Sequence, residues 1–147
     1  MRRLSILAAF IAAPLSAHVT IWPKESPAGA REKYEVRLPN EKDTATVALE
    51  LHFPDGLKFS AVEQKAGWQS ELLRDSSGEV RGVRWTGKLE PKEFTELGLL
   101  AINPTKEGEI VFDATQFFAD GTQVEWSGPA GSTRPAPRVR LTGTESK

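Results

Sequence analysis

From Lys33 to Trp126, apolar side chains recur at every second position in short runs, and each run is cut off by Pro, Gly or Asp-Gly. That period constrains the fold more than any other feature, because successive side chains alternate between faces only in a strand. Tyr34, Val36 and Leu38 alternate with Lys33, Glu35 and Arg37. Val47, Leu49, Leu51 and Phe53 share a face opposite Thr46, Ala48, Glu50 and His52, and Pro54-Asp55-Gly56 then turns the chain. Trp68 to Leu73 and Val80 to Thr86 read as a hairpin joined through Asp75-Ser76-Ser77-Gly78. Phe94 to Ile102 is apolar enough for a central strand. Glu109 to Phe118 and Thr122 to Trp126 flank Asp120-Gly121, a short hairpin signal. Glu90 to Glu93 spans one helical turn at most, Pro135-Ala136-Pro137 reads as extended, and Val139 to Leu141 reads as an edge strand. The pattern predicts an all-β chain folded as an antiparallel β-sandwich, immunoglobulin-like or cupredoxin-like.

The segment ahead of these strands has a different character. Arg2 and Arg3 are followed by an almost unbroken apolar stretch from Leu4 to Leu15 and by the small pair Ser16-Ala17. This is the layout of a secretory signal peptide, and the arginines lack the wider context of a twin-arginine signal. The stretch is too short to span a bilayer, and no later segment approaches the ~20 apolar residues needed. The expected organisation is a signal peptide over 1–17, one β-sandwich domain over 18–141 and a disordered tail over 142–147. The mature protein is expected to be exported, periplasmic or otherwise extracytoplasmic, without a membrane anchor.

Composition removes several chemistries. The chain has no cysteine, and Met1 is its one methionine. Thiolate metal sites, iron–sulfur clusters and blue-copper centres are therefore excluded, as is soft thioether capture of Cu(I). Without Arg2 and Arg3, 17 basic residues face 20 acidic ones, a formal charge of −3. The signs are interspersed, which argues against nucleic acid and anionic membrane surfaces as partners.

What remains centres on His18. Cleavage after Ala17 makes it the first residue, so its α-amine and imidazole Nδ1 can close a six-membered chelate ring on one metal ion. Two such nitrogens suit the tetragonal preference of Cu(II), which also stands highest in the divalent affinity order. A carboxylate is expected from nearby. If His18 to Trp22 pairs antiparallel with Lys33 to Leu38, His18 lies beside Pro39-Asn40-Glu41, and Glu41 can supply it. Read from the residues alone, His18 is either a chelating terminus or simply the start of a strand. Glu41 is either a ligand or a solvated turn residue. Trp126 reads as a core residue, Trp22, Trp68 and Trp85 read as packing, and His52 shares the outward face of its strand with Glu50.

A longer set of motifs gives these residues a context. Ala17-His18-Val19-Thr20, Leu38-Pro39-Asn40-Glu41-Lys42, Ala66-Gly67-Trp68, and Ala119-Asp120-Gly121 running to Val124-Glu125-Trp126-Ser127-Gly128-Pro129 occur in that order. Together they resemble the YcnI-like copper-binding proteins over almost the whole chain beyond residue 17. The resemblance implies an exported β-sandwich that binds Cu(II) through a mono-histidine form of the histidine brace. It implies that His18 gives amine and Nδ1, that Glu41 is the carboxylate, and that Trp126 stands beside the metal. Phe117-Phe118 departs from the pattern, standing where tyrosine is common.

The expected function is Cu(II) binding for copper trafficking or homeostasis, without catalysis, with the copper ion and other exported copper-trafficking proteins as partners. One rival is a copper-dependent oxidative enzyme of the polysaccharide monooxygenase kind, which needs His52 at the metal. The other is an immunoglobulin-like interaction module without metal, in which His18 is incidental.

Overall fold

The computed structural model describes residues 17–143. Of the expected signal peptide all but Ala17 lies outside the described residues, as do residues 144–147 of the expected tail. In chain order the first strands are β1 (Thr20–Trp22), β2 (Glu25–Pro27), β3 (Arg31–Pro39), β4 (Thr46–His52), β5 (Lys58–Val62) and β6 (Gln69–Arg74). They are followed by β7 (Val80–Leu89), β8 (Phe94–Ile102), β9 (Gly108–Val111), β10 (Asp113–Phe118), β11 (Gln123–Trp126) and β12 (Arg138–Thr142).

Two sheets carry the sandwich, one in the order β1-β3-β8-β5 and the other β11-β10-β4-β7-β6. Every pairing within them is antiparallel. The alternation seen in the sequence decides which side chains lie between the layers. Tyr34, Val36 and Leu38 of β3 and Leu97 and Leu99 of β8 meet Leu49 and Leu51 of β4 and Val83 and Trp85 of β7, all essentially inaccessible. Burying one such side chain stabilises the fold by roughly 1.5–3 kcal/mol. The fold class is the one that the period-two pattern predicts.

A small third sheet, β2-β12-β9, closes one side. Here β12 pairs parallel with β2 and antiparallel with β9, so Val139 to Leu141 lies in a central strand and not at an edge. β12 ends at Thr142, one residue past the expected domain boundary. β2 carries no alternation of its own and is held by polar contacts instead. Asn103 Nδ2 donates to Ser26 Oγ at 2.7 Å and to Pro27 O at 2.9 Å, and the Tyr34 hydroxyl donates to Asn103 Oδ1.

The stretch Glu109 to Phe118 is two strands. Phe112 interrupts it, its N–H donating to Pro137 O at 2.8 Å and its ring fully buried against Tyr34 and Phe53. The chain thereby leaves the third sheet for the five-stranded one. Thr46 and Ala48 are buried, not outward as their strand's alternation suggests. Register shifts on both sides of β4, between Thr46 and Ala48 against β7 and between Phe117 and Phe118 against β10, interrupt the period there. Glu90 to Glu93 is a turn with Lys92 at φ 67°.

Two of the three packing tryptophans behave as expected. Trp85 is in the core, and Trp68 lies flat on Gly87, where a Cβ would come within 2.3 Å of the indole. Trp22 does not. It alternates with the buried Ile21 on an edge strand, so it points outward, 38% exposed. Lys24 Nζ and Arg37 Cζ lie over its ring at 4.7 and 4.9 Å.

Phe112 stands where the chain passes from the third sheet to the five-stranded one, its buried ring packed on Tyr34 and Phe53. Phe112→Ala is expected to lower stability by about 3–5 kcal/mol, read as a fall in denaturant midpoint at unchanged slope.

Candidate metal centre

β1 brings the start of the described chain to the corner where β3 ends. Thr20 pairs with Arg37, Ile21 with Val36 and Trp22 with Glu35. Continuing that register by two residues puts His18 opposite Pro39, as the predicted antiparallel pairing requires. Val19 and Ile21 are fully buried and fix which face of β1 points inward.

Past Pro39 the chain turns around Asn40, which is 2% exposed. Asn40 Nδ2 donates to Thr44 O at 2.9 Å and Leu89 O at 3.0 Å, and its Oδ1 accepts from the Lys42 amide at 3.0 Å. Its own amide donates to Glu93 O at 2.9 Å, and its carbonyl accepts from the Lys92 amide at 2.9 Å. A corner tied this often holds Glu41 in one place. The Glu41 carboxylate turns towards the residue before His18, and Oε1 accepts from the Ala17 amide at 2.7 Å.

Trp126 closes the third side from the end of β11. Its ring centroid is 5.6 Å from that of His18, with the planes tilted by 51°. The indole is 9% exposed, and Nε1 donates to Gln116 Oε1 at 3.2 Å. So Trp126 belongs to the core, as the residues alone suggested, and also presents a face to His18. A pocket of about 170 Å³ is lined by His18, Glu41 and Trp126 together with Lys42, Phe118 and Arg134. Lys42 Nζ is held over the Phe118 ring at 4.4 Å and donates to Thr122 Oγ1 at 3.2 Å. Thr122 in turn donates to Asp120, and that bond holds the Asp120 carboxyl below its usual range.

His52 is not part of this constellation. It ends β4, whereas the pocket lies at the Thr46 end, and six residues of strand span about 20 Å. Its Nε2 lies 3.5 Å from Glu50 Oε1, on the outward face. A two-histidine brace has no second histidine here. Among the described residues there is also no group of three or more His, Cys, Asp or Glu side chains placed to hold a metal. One imidazole, that of His18, and one carboxylate, that of Glu41, border the pocket.

Two residues of the site escaped the sequence reading. Gln116 and Asn40 carry no chemistry that a motif search rewards. Asn40 lay inside a quoted motif without a role, and Gln116 stood at a position that alternation alone marks as inward.

A family model described as a domain of unknown function, DUF1775, matches residues 18–141. The copper-binding protein CutI of Bacillus subtilis (strain 168) is 33% identical over 138 residues, 92% of this chain and 68% of that protein. A crystal structure of an uncharacterized protein from Nocardia farcinica, described as having an immunoglobulin-like fold, is 26% identical with a TM-score of 0.73. It covers 84% of this chain and 97% of its own. A cohesin module from a Clostridium perfringens family 33 glycoside hydrolase, 15% identical, reaches a TM-score of 0.53 over 86% of this chain and 97% of its own, a likeness of fold alone. A family match that begins at His18 and runs to the end of the sandwich, with a relative at this identity, makes the chain a member of the DUF1775 family, the YcnI-like proteins that its motifs resemble.

Proposed function

We propose that the protein binds one Cu(II) ion outside the cytoplasm and serves copper trafficking or homeostasis as a carrier, without catalysis. His18 supplies its α-amine and Nδ1, Glu41 supplies a carboxylate oxygen, and the Trp126 indole shields the ion on one side. The observation that carries this reading is the convergence at one pocket. The first strand delivers His18 there, the Glu41 carboxylate reaches the adjoining backbone nitrogen of Ala17 at 2.7 Å, and the Trp126 ring lies tilted beside the imidazole. The copper-binding name of the relative that is 33% identical supports the choice of metal. The remoteness of His52 favours a carrier over an oxidative enzyme that needs two histidines.

Processing has a physical consequence at this site. In the uncleaved chain the nitrogen of His18 is an amide, a poor donor, and Glu41 is engaged by Ala17. Cleavage after Ala17 turns that amide into an amine and releases the carboxylate in one step. The form that starts at His18 is therefore expected to take up one Cu(II), seen by intact mass and competition titration. A form keeping one methionine ahead of His18 is expected to lose most of that affinity. Equal affinity in the two forms would contradict the chelate.

The ligand assignment separates the two histidines and the carboxylate. Glu41→Gln preserves size and removes charge, and is expected to weaken copper by more than about tenfold, the scale on which even outer-sphere changes act. His52→Ala is expected to leave affinity unchanged. The reverse pattern would restore the two-histidine enzyme.

For the indole, Cu(II) is expected to quench part of the tryptophan emission, and Trp126→Phe to remove much of that component while the fold persists. Trp22 lines the neighbouring groove that His18 also borders, so Trp22→Phe is the control. Quenching that survives Trp126→Phe and disappears with Trp22→Phe would move the metal to the other side of His18.

A further inference from the structure

Gln116 is a buried polar residue with three partners on three different strands. It sits on β10, 2% exposed. Its Nε2 donates to Pro39 O on β3 at 2.9 Å and to Thr46 Oγ1 on β4 at 2.8 Å, and its Oε1 accepts from Trp126 Nε1 on β11 at 3.2 Å. A carbonyl only accepts and an indole N–H only donates, so a single orientation of the carboxamide serves both. Glutamate lacks the N–H that Pro39 O needs, leucine lacks donor and acceptor, and asparagine is one methylene shorter.

Packing alone does not ask for this residue. Apolar groups at 116 and 126 would fill the space without any polar group to satisfy, and replacing both partners of a buried hydrogen bond by apolar groups is often close to neutral. What the carboxamide adds is geometry. Through two bonds it ties the indole that faces His18 to the strand end that lies opposite His18 and leads into Asn40 and Glu41.

We infer that Gln116 is a positioning residue of the copper site, holding the Trp126 indole and the Pro39 corner in one fixed relation without touching the metal. This rests on the proposed function for its purpose, while its bond to Trp126 stands on the structure alone. The fixed relation matters because ligation geometry is sensitive to the groups behind the ligands.

The test uses the chain starting at His18, with Cu(II) as the probe, and compares Gln116→Leu, Gln116→Glu, Trp126→Phe and the double variant Gln116→Leu/Trp126→Phe. In the copper-free wild type the Trp126 indole N–H is expected to exchange slowly with solvent. Gln116→Leu is expected to shift that resonance and speed its exchange several-fold, whereas Gln116→Glu keeps the acceptor and much of the protection. In the copper form Gln116→Leu is expected to move the electron paramagnetic resonance spectrum and the quenched fluorescence in the direction of Trp126→Phe, with affinity lowered about tenfold. Once Trp126 is already Phe, the further effect of Gln116→Leu is expected to shrink to about twofold, the non-additivity of residues acting through one another. If Gln116→Leu does not fold, Gln116→Glu carries the test, with the Pro39 donor lost and the copper spectrum displaced. A lower melting temperature with wild-type copper spectrum and quenching would overturn the inference, as would full additivity in the double variant. Absence of copper uptake by the wild type would instead overturn the function, and the indole exchange would still read the anchor.

Discussion

Everything at the candidate site depends on the pairing of β1 with β3, a ladder of only three residue pairs. So short a ladder is held by burial more than by hydrogen bonds. Val19 and Ile21 are fully inaccessible between the layers. A one-residue slip would bring Trp22 inward and Ile21 out, exchanging the whole face of the strand. The same slip would carry His18 away from Pro39. The hydrophobic register of an edge strand therefore sets where the candidate residue His18 stands.

Around that strand the site is framed by buried polar groups whose partners are all met. Asn40 secures the corner after β3, and Gln116 secures the end of β11. Each would cost about 1–3 kcal/mol if left without a partner, so the frame resists small rearrangements. Rigidity of this kind suits a binding site that has few side-chain donors and depends on placing them accurately. The exposed rim is different. Lys42, Arg134 and the Trp22 face with its two cations give that end of the molecule positive groups beside aromatic ones.

Much of the fold was legible because alternation is a local property. The hairpin of β6 and β7, the central place of β8, and the inward face of β3 follow from period and turn residues alone. Gly121 takes φ 87° where Asp120-Gly121 called for a tight turn. The failures have a common cause. β2 and β5 are short, three and five residues, and carry no clear apolar alternation, so only their pairing with distant strands reveals them. Phe112 looked like one more strand residue because nothing local says that the chain changes sheets there. Thr46 and Ala48 look outward by period, and only the register shifts on either side of β4 turn them in.

The sequence by itself determined the fold class, the absence of sulfur ligands and the candidacy of His18 and Glu41, while Trp126 entered only through the family resemblance that the motifs carry. Those follow from periodicity, composition and short motifs, which require no knowledge of what touches what. The tertiary structure decided that the three residues share one pocket, that His52 stands about 20 Å away along β4, and that Gln116 links the indole to the corner before Glu41. These are relations between β1 and β3 near the start of the described chain, β4, and the β10–β11 hairpin near its end. Their distances are set by register and by the packing of two sheets, and no single stretch of sequence encodes either.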